Sequence, residues 1–388
     1  MPDIEYSTAT ENDFEEVIDL LNLVFSVYSP QDFEAELPVQ YDKRNFMAGT
    51  NYIVKENGKI VANVGAYPVD YYICGDILKV SAITAVAVHP RCRSKGYMKK
   101  LMEMALSDMK KDDVDLSFLY GDRQRYEYFG YTPCGSRIKY SCDKNNIRHF
   151  FEDKLKAKIT LKEIRGDDAE AAGLFDEIHT MYNTCDVHIK RPRERFTDIM
   201  RAWRNKTVCI YDNDRFSGYM SVKYDYSSID ELNLVNIDII GDVINAFWDH
   251  SGRYTVDITA FPHEMELNAV LSKFSSSVSV YEDGNYNVMN YVNVLNSFLK
   301  LKCLNTKIPD GAMTLGIQNA GNITISISNN TPSVMFTDDR PDAELTRLEA
   351  IRLLFSPYSA YSSGPLGNNF FARHILPVPL SIKRLDRS

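Results

Sequence analysis

An apolar strand, a basic loop and the start of a helix follow one another between residues 81 and 100. The apolar run ends at Pro90, helix-like sequence begins near Met98, and between them lie Arg91, Arg93, Lys95 and Gly96. Such a loop directs backbone N–H groups and the positive end of a helix dipole at one spot. The stretch therefore predicts a phosphate or pyrophosphate site at residues 94–99. A charged helix start on a solvated surface is the alternative.

The spacing of these residues matches a known loop. Neither GxxxxGK[ST] nor GxGxxG occurs in this stretch. Its pattern, V-x-V-x-P-x-x-R-x-x-G-x-M, resembles the acetyl-CoA loop of the GNAT N-acetyltransferases, [QR]xxGx[GA]. Arg93 and Gly96 occupy the matching positions, and Met98 stands at the third small position, a departure shared by one branch of that superfamily.

A second segment, RYEYFGY at residues 125–131, resembles the xYxxxGF segment that closes the GNAT cofactor site. In that superfamily the first tyrosine commonly protonates the departing CoA thiolate, and by position this residue is Tyr126. The alternative is an aromatic side chain of a short amphipathic helix, packed in the core.

Composition limits the classes of function. With 388 residues, the chain has room for two or three domains, and 44% apolar and 25% charged residues are typical of a soluble globular protein. The sequence has no run of about 18 apolar residues, so we expect no membrane span. Its acidic start lacks the apolar region of a signal peptide. Seven scattered cysteines without a CxxC pair indicate reduced thiols and a cytoplasmic protein without a zinc site. The net charge of −9 argues against a nucleic-acid partner and favours, weakly, a cationic acceptor.

The order of elements predicts an α/β and α+β chain of three domains. Residues 1–145 contain a helix, a meander, the basic loop, a helix, a strand, a short helix and a last strand. Residues 146–286 repeat this order, and residues 287–388 form a smaller α+β domain without a catalytic motif. In the second copy Asp242 stands where phosphate would bind, and two like charges a few ångströms apart repel by about 1 kcal/mol even in water. We therefore expect that copy to bind no CoA.

Taken together, the chain resembles the Eis-type N-acetyltransferases: two tandem GNAT-like domains, the first with an acetyl-CoA site, and a third domain similar to sterol carrier proteins. The resemblance implies acetyl-CoA as acyl donor, an amine acceptor, no metal, and a homo-oligomer, which in that family is a hexamer built from dimers. It also implies a splayed sheet beside residues 86–88, where free backbone groups pair with the pantetheine. The implied cofactor-binding residues are Val86, Ala87, Val88, Arg93, Ser94, Lys95, Gly96, Tyr97, Met98, Lys99, Gly121 and Asp122.

The resemblance further implies two catalytic residues. Tyr126 would donate a proton, and the C-terminal carboxylate, here that of Ser388, would act as base. A frayed terminus is the alternative for Ser388. Two positions that carry acidic side chains in aminoglycoside-acetylating members hold Val27 and Arg387 here. A cation at the second position would disfavour a polycationic acceptor.

We therefore expect direct acetyl transfer from acetyl-CoA to a primary amine of a small molecule or a peptide lysine. His89 and Cys92 are expected to be bystanders. Two alternatives remain: a long-chain acyltransferase similar to N-myristoyltransferases, and a non-catalytic acetyl-CoA or lipid-binding module.

Overall fold

The computed structural model of the protein describes residues 2–27, 29–151, 155–166, 171–359, 364, 366 and 369–387. The chain divides into two units. The first comprises residues 2–135, Glu282–Leu380 and Arg387, and the second comprises Ser136–Tyr281 and Ser381–Asp386. The predicted limits after residues 145 and 286 follow the order of elements and stay a prediction about domains.

The strands are, in chain order, β1 (Ile4–Thr8), β2 (Asn51–Glu56), β3 (Lys59–Ile73), β4 (Asp76–Val88), β5 (Leu116–Leu119), β6 (Thr132–Pro133), β7 (Arg137–Asp143), β8 (Ile159–Ile164), β9 (Val187–Ile189), β10 (Lys206–Asp212), β11 (Arg215–Val222), β12 (Ser228–Leu234), β13 (Thr255–Ala260), β14 (Ser277–Tyr281), β15 (Asn285–Val288), β16 (Gly311–Ile317), β17 (Gly321–Ser328), β18 (Thr331–Thr337) and β19 (Ala343–Leu345).

The helices are α1 (Phe14–Phe25), α2 (Phe33–Glu36), α3 (Pro38–Tyr41), α4 (Tyr97–Lys111), α5 (Arg123–Tyr126), α6 (Lys144–Phe151), α7 (Ala171–Asn183), α8 (Phe196–Met200), α9 (Ile240–Ser251), α10 (Met265–Phe274), α11 (Tyr291–Asn305), α12 (Arg347–Phe355) and α13 (Phe370–Ile375). Among the described helices, none has the length and apolar character needed to cross a bilayer.

The sheet of the first unit is built from tight hairpins. The turn pairs Asn57-Gly58 and Cys74-Gly75 all have positive φ, as the primed turns of two-residue hairpins require. Asn-Gly, the pair in the first of these turns, is the residue pair that such turns favour. The strand order is β1-β2-β3-β4-β5-β15-β6, in which only β4 and β5 run parallel. Helix α4 connects this parallel pair and packs Leu101, Met102 and Ala105 into the core.

The sheet of the second unit has the same construction. Its strand order is β8-β10-β11-β12-β13-β7-β14, with β12 and β13 as the parallel pair and α9 between them. In each sheet the sixth strand is not consecutive in the chain with the strands beside it. The sixth strand of the first sheet is β15, which follows β14 in the chain, and that of the second sheet is β7, which follows β6. The repeated order supports the prediction of two copies of one architecture.

A third sheet, β18-β17-β16-β19, follows β15 and packs with α11, α12 and α13. The predicted α+β pattern of this region is confirmed in its main elements. The tail carries a short 3₁₀ turn at Arg384–Asp386 among its described residues.

The second unit buries an ionic cluster around Arg191, whose side chain is fully buried. Its guanidinium donates to Glu231 at 2.8 and 3.2 Å and to Asp386 at 2.7 and 3.1 Å, and it lies 3.8 Å above the ring of Tyr182. Arginine suits such a site because its planar fork can meet two carboxylates at once. The cluster fixes Asp386, near the end of the chain.

Candidate active site

A groove begins at the point where strands β4 and β5 separate. The two strands pair from Val80↔Leu116 to Ile83↔Leu119, and the described pairing ends there. A register shift against β3 and a positive φ at Ala85 mark a bulge in β4. The side-chain amide of Asn63 donates to the carbonyl of Ala85 at 3.0 Å and so stabilises the bulge. Backbone groups of β4 beyond Ile83 therefore face a gap on the β5 side, as the splayed sheet predicts.

The loop after β4 is held in an unusual backbone conformation. His89 Nδ1 accepts from the backbone N–H of Arg91 at 3.2 Å and so caps a short 3₁₀ turn, which the backbone N–H of Cys92 closes on the His89 carbonyl at 2.8 Å. Ser94 and Gly96 then have φ of 64° and 81°, and α4 starts at Tyr97. The first N–H groups of an α-helix have no partner within the helix, and the helix dipole adds positive potential there. With its 15 residues, α4 presents this end to the gap beside β4.

These features enclose a cavity of about 480 Å³. Eight of the predicted cofactor-binding residues line it: Val86, Val88, Arg93, Ser94, Gly96, Tyr97, Met98 and Lys99. Val24, Cys92 and Arg125 complete the lining. The apolar strand residues and the basic loop residues thus share one groove, which suits a ligand with an uncharged arm and an anionic end.

Four predicted residues lie elsewhere: Ala87, Lys95, Gly121 and Asp122 are not among the described residues that line this cavity. Ala87 is buried because side chains alternate along a strand and its neighbours face the groove. The ammonium of Lys95 lies 2.8 and 2.9 Å from the two carboxylate oxygens of Glu56. The predicted role of its side chain in holding phosphate is therefore unsupported, and a role for its backbone stays a prediction.

Glu56, which the sequence analysis missed, stabilises the loop and the start of α4 through hydrogen bonds. Besides Lys95, its carboxylate accepts from the hydroxyl of Tyr97 at 3.1 Å and from the thiol of Cys92 at 3.5 Å. The hydrogen bond from Lys95 lowers the pKa of Glu56 and raises that of Lys95 itself. Nothing in the local sequence pointed to this carboxylate, because its three partners lie 36–41 residues further along the chain.

Tyr126 ends the short helix α5, and its side chain is 5% exposed. It packs in the same core as Ile83, Leu119 and Tyr131. Its neighbour Arg125 lines the groove, whereas Tyr126 is not among the described residues that do, so its catalytic role stays a prediction. Burial raises the pKa of the Tyr126 phenol, so the hydroxyl keeps its proton at neutral pH. Its ring also touches Gly121, where an added Cβ would lie 2.4 Å from Tyr126 Cε2. Gly121 therefore sets the position of the tyrosine ring.

The other predicted catalytic residue, Ser388, lies outside the described residues. Its neighbour Arg387 is described, and its guanidinium is paired with Asp283 at 2.5 Å. Because this charge is neutralised by a buried partner, the prediction that Arg387 opposes a cationic acceptor is not supported. Val27, the other departure, is exposed.

The corresponding position of the second unit is occupied by its own chain. Asp242, near the start of α9, accepts from the backbone N–H of Ala157 at 3.0 Å. The ring of Phe151 covers Gly241, where an added Cβ would lie 2.7 Å from it. The N–H groups at this helix start are thus covered, which supports the prediction that this copy binds no CoA. Among the described residues, no cluster of His, Cys, Asp and Glu side chains could hold a metal ion.

Comparison with known proteins finds a domain match for the part of the chain that contains the groove. Residues 5–134 match the model of the acetyltransferase (GNAT) domain. No curated protein matches the chain in sequence. Similar solved structures include a probable N-acyltransferase from Enterococcus faecalis V583, with a TM-score of 0.70, 15% identity and 99% of each chain covered.

Two further structures share the fold over nearly their whole length. A GCN5-related N-acetyltransferase from Kribbella flavida has a TM-score of 0.68 and 15% identity, with 100% of this chain and 99% of that chain covered. Eis1 from Mycobacterium abscessus has a TM-score of 0.63 and 13% identity, with 97% of this chain and 99% of that chain covered. At such identities the likeness concerns the fold. The chain therefore has a mixed α/β GNAT-like fold, and its residues 5–134 form a GNAT acetyltransferase domain.

Proposed function

We propose that the protein is an N-acetyltransferase that moves an acetyl group from acetyl-CoA to a primary amine of a small molecule or a peptide lysine. The observation that carries this proposal is the groove in which the free edge of β4 meets the start of α4. GNAT domains use acyl-CoA, and the groove offers what that ligand needs at each end.

The binding roles follow from the lining. Free backbone groups of β4 at residues 86–88 pair with the amides of the pantetheine arm, as a neighbouring strand would. The N–H groups of residues 94–99 receive the pyrophosphate, because helix starts favour anions. Arg93, Lys99 and Arg125 supply positive charge along the same wall.

The chemistry is a direct transfer. The amine nitrogen attacks the thioester carbonyl, the C–S bond breaks, and the thiolate takes the proton of the Tyr126 hydroxyl. The Tyr126 phenol carries its proton at neutral pH, as a general acid must, although burial raises its pKa and so makes it a weaker acid. The leaving thiol has an ordinary pKa of about 8.5, so protonation assists its departure at neutral pH. The carboxylate of Ser388 takes the proton released by the amine, directly or through water.

The proposal includes the organisation of the whole chain. Residues 1–145 and 146–286 would be tandem GNAT-like domains, the second without a CoA site, and residues 287–388 a sterol-carrier-like domain, in an Eis-type homo-oligomer. The identical strand order of the two large sheets supports the tandem copies. All seven cysteines are described and none is disulfide-bonded, which fits the proposed cytoplasmic location.

Release of free thiol from acetyl-CoA in the presence of a panel of primary amines tests the proposal. We expect turnover with at least one amine, and a loss of kcat without a loss of acetyl-CoA affinity in Tyr126→Phe. Binding of acetyl-CoA without turnover on any amine would contradict the proposal and favour a non-catalytic acyl-CoA binder. Turnover restricted to long-chain acyl-CoA would favour the long-chain acyltransferase.

A further inference from the structure

The end of the chain contacts the segment that carries Tyr126. Arg387 Nη2 lies 2.5 Å from Asp283 Oδ1, and both side chains are almost fully buried. The guanidinium also lies 4.5 Å from the centre of the Tyr120 ring. Arginine stacks on aromatic faces in this way because its planar cation is weakly hydrated. The side chain of Arg387 thus contacts Tyr120, although the two residues lie about 270 positions apart in the chain.

Tyr120 is fixed on its other sides as well. Its hydroxyl donates to the carbonyl of Asp283 at 2.7 Å. A Cβ added to Gly284 would lie 2.9 Å from its ring, so the ring packs directly on that backbone. Arg387, Asp283 and Gly284 therefore all contact Tyr120, and these contacts hold its ring on one side while 43% of the residue stays exposed.

The constraint continues from Tyr120 to Tyr126. The next residue, Gly121, accepts from the side-chain amide of Asn285 at 2.9 Å. Asn285 belongs to β15, which pairs with β5 at Asn285↔Leu119. Gly121 in turn touches the ring of Tyr126. An unbroken series of contacts within the first unit thus runs from Arg387 through Tyr120 and Gly121 to Tyr126.

The residue before Arg387 is fixed independently. Within the second unit, Asp386 receives two hydrogen bonds from the buried Arg191 at 2.7 and 3.1 Å, and one from the Tyr182 hydroxyl at 3.2 Å. A buried ion pair often stabilises a fold less than apolar packing of the same volume would. The buried ion pairs of the successive residues Asp386 and Arg387 therefore indicate that the position of this segment matters beyond stability.

We propose that Arg387 is a positioning residue for the transfer reaction: by pairing with Asp283 and covering Tyr120, it holds the 120–126 segment so that Tyr126 meets the thiolate. This inference rests on the proposed acetyl transfer. Arg387 touches neither the substrates nor the reacting atoms in this role. It acts through the placement of the tyrosine.

The test is the rate of thiol release by full-length Arg387→Met, in which an apolar chain of similar length replaces the cation. We expect kcat to fall by about tenfold or more while KM for acetyl-CoA stays within about twofold, because the groove is untouched. Arg387→Lys, which keeps the charge but not the planar stacking, should recover part of the loss. Arg384→Met, also in the tail but facing Asp230 and Trp203, is the matched control and should leave kcat unchanged.

Measuring the effect of Arg387→Met in the Tyr126→Phe variant separates a positioning role from a general structural role. If Arg387 acts through Tyr126, Arg387→Met should cause no further loss of kcat in Tyr126→Phe, since residues that act as a unit are not additive. Additive losses, or a wild-type kcat in Arg387→Met, would overturn the inference. Should Arg387→Met fail to fold, the double variant with Asp283→Asn removes both charges. That protein should fold and remain slow, and a wild-type rate in it would also overturn the inference. A wild-type protein without turnover on any amine would overturn the proposed function together with this inference.

Discussion

Adding a single methyl group at Gly121 should impair catalysis more than it impairs binding. The Cβ of Gly121→Ala would lie 2.4 Å from Tyr126 Cε2, whereas carbon atoms in contact prefer about 3.5 Å or more. The ring must therefore move by about 1.1 Å. A displacement of this size in a catalytic group can lower the rate by about a hundredfold, which corresponds to about 2.7 kcal/mol in the activation barrier. Overpacking of this kind typically lowers the free energy of unfolding by about 1–3 kcal/mol.

The assay is kcat and KM for acetyl-CoA, with thermal unfolding measured on the same samples. Because Gly121 does not line the described groove, KM for acetyl-CoA should change by no more than about twofold. Gly49→Ala is the matched control, since a Cβ there meets nothing within 4 Å. A variant that unfolds at lower temperature yet keeps the wild-type kcat would refute the proposed role of Tyr126 as proton donor.

Three further predictions concern the loop, the buried cluster and pH. Gly96→Ala should weaken acetyl-CoA binding by about 5- to 30-fold in a calorimetric titration, because the left-handed backbone at φ 81° costs a residue with a Cβ about 1–2 kcal/mol. Gly75→Ala, with a φ of 88° in a hairpin turn, should leave that affinity unchanged, and equal effects would contradict the reasoning. Arg191→Met leaves two buried carboxylates unpaired and should lower the free energy of unfolding in urea by about 3–5 kcal/mol. The exposed Arg201→Met should cost under about 1 kcal/mol, and a similar small cost for Arg191 would exclude the cluster as described. Burial lowers the pKa of His263 to about 4, so between about pH 6.5 and 4 the unfolded chain binds a proton there that the folded chain does not. Stability should therefore fall by about 3 kcal/mol as the pH drops through that range. His263→Gln should flatten the dependence of stability on pH. An unchanged dependence in that variant would contradict the assignment to His263.

The loop of the groove could be predicted because its parts are contiguous in the chain. Residues 83–99 supply the strand edge, the turn and the helix start in order, so short-range patterns sufficed. Gly96 has the left-handed backbone that a glycine at such a loop indicates. Alternation along β4 also explains which of its residues face the groove, and Val86 and Val88 do so while Ala87 does not.

The remaining features depend on contacts between distant segments. The sixth strands of the two sheets, β7 and β15, pair with partners over a hundred positions away in the chain. Hydrophobic periodicity does not show which sheet a strand joins. The Asp283–Arg387 pair spans 104 residues. Strand β1 was missed because its alternation between apolar and polar residues covers only Ile4–Thr8, and both its faces are largely exposed.

One boundary failed for a local reason. The apolar sequence of residues 232–240 favours one continuous strand, but β12 ends at Leu234 and α9 begins at Ile240. The apolar residues continue through this stretch, but the side chain of Asn236 accepts from the backbone N–H of Asp238 at 3.0 Å. Asparagine competes with strand pairing through such bonds. The turn it forms starts the helix.

Backbone hydrogen exchange with and without acetyl-CoA tests the central claim most directly. The account predicts slower exchange on binding at residues 86–88 and 94–99, where free N–H groups of β4 and the start of α4 meet in the groove. It predicts no change at the start of α9, where Asp242 and Phe151 already cover the equivalent position. Protection at α9, or exchange at residues 86–99 that is indifferent to acetyl-CoA, would contradict it.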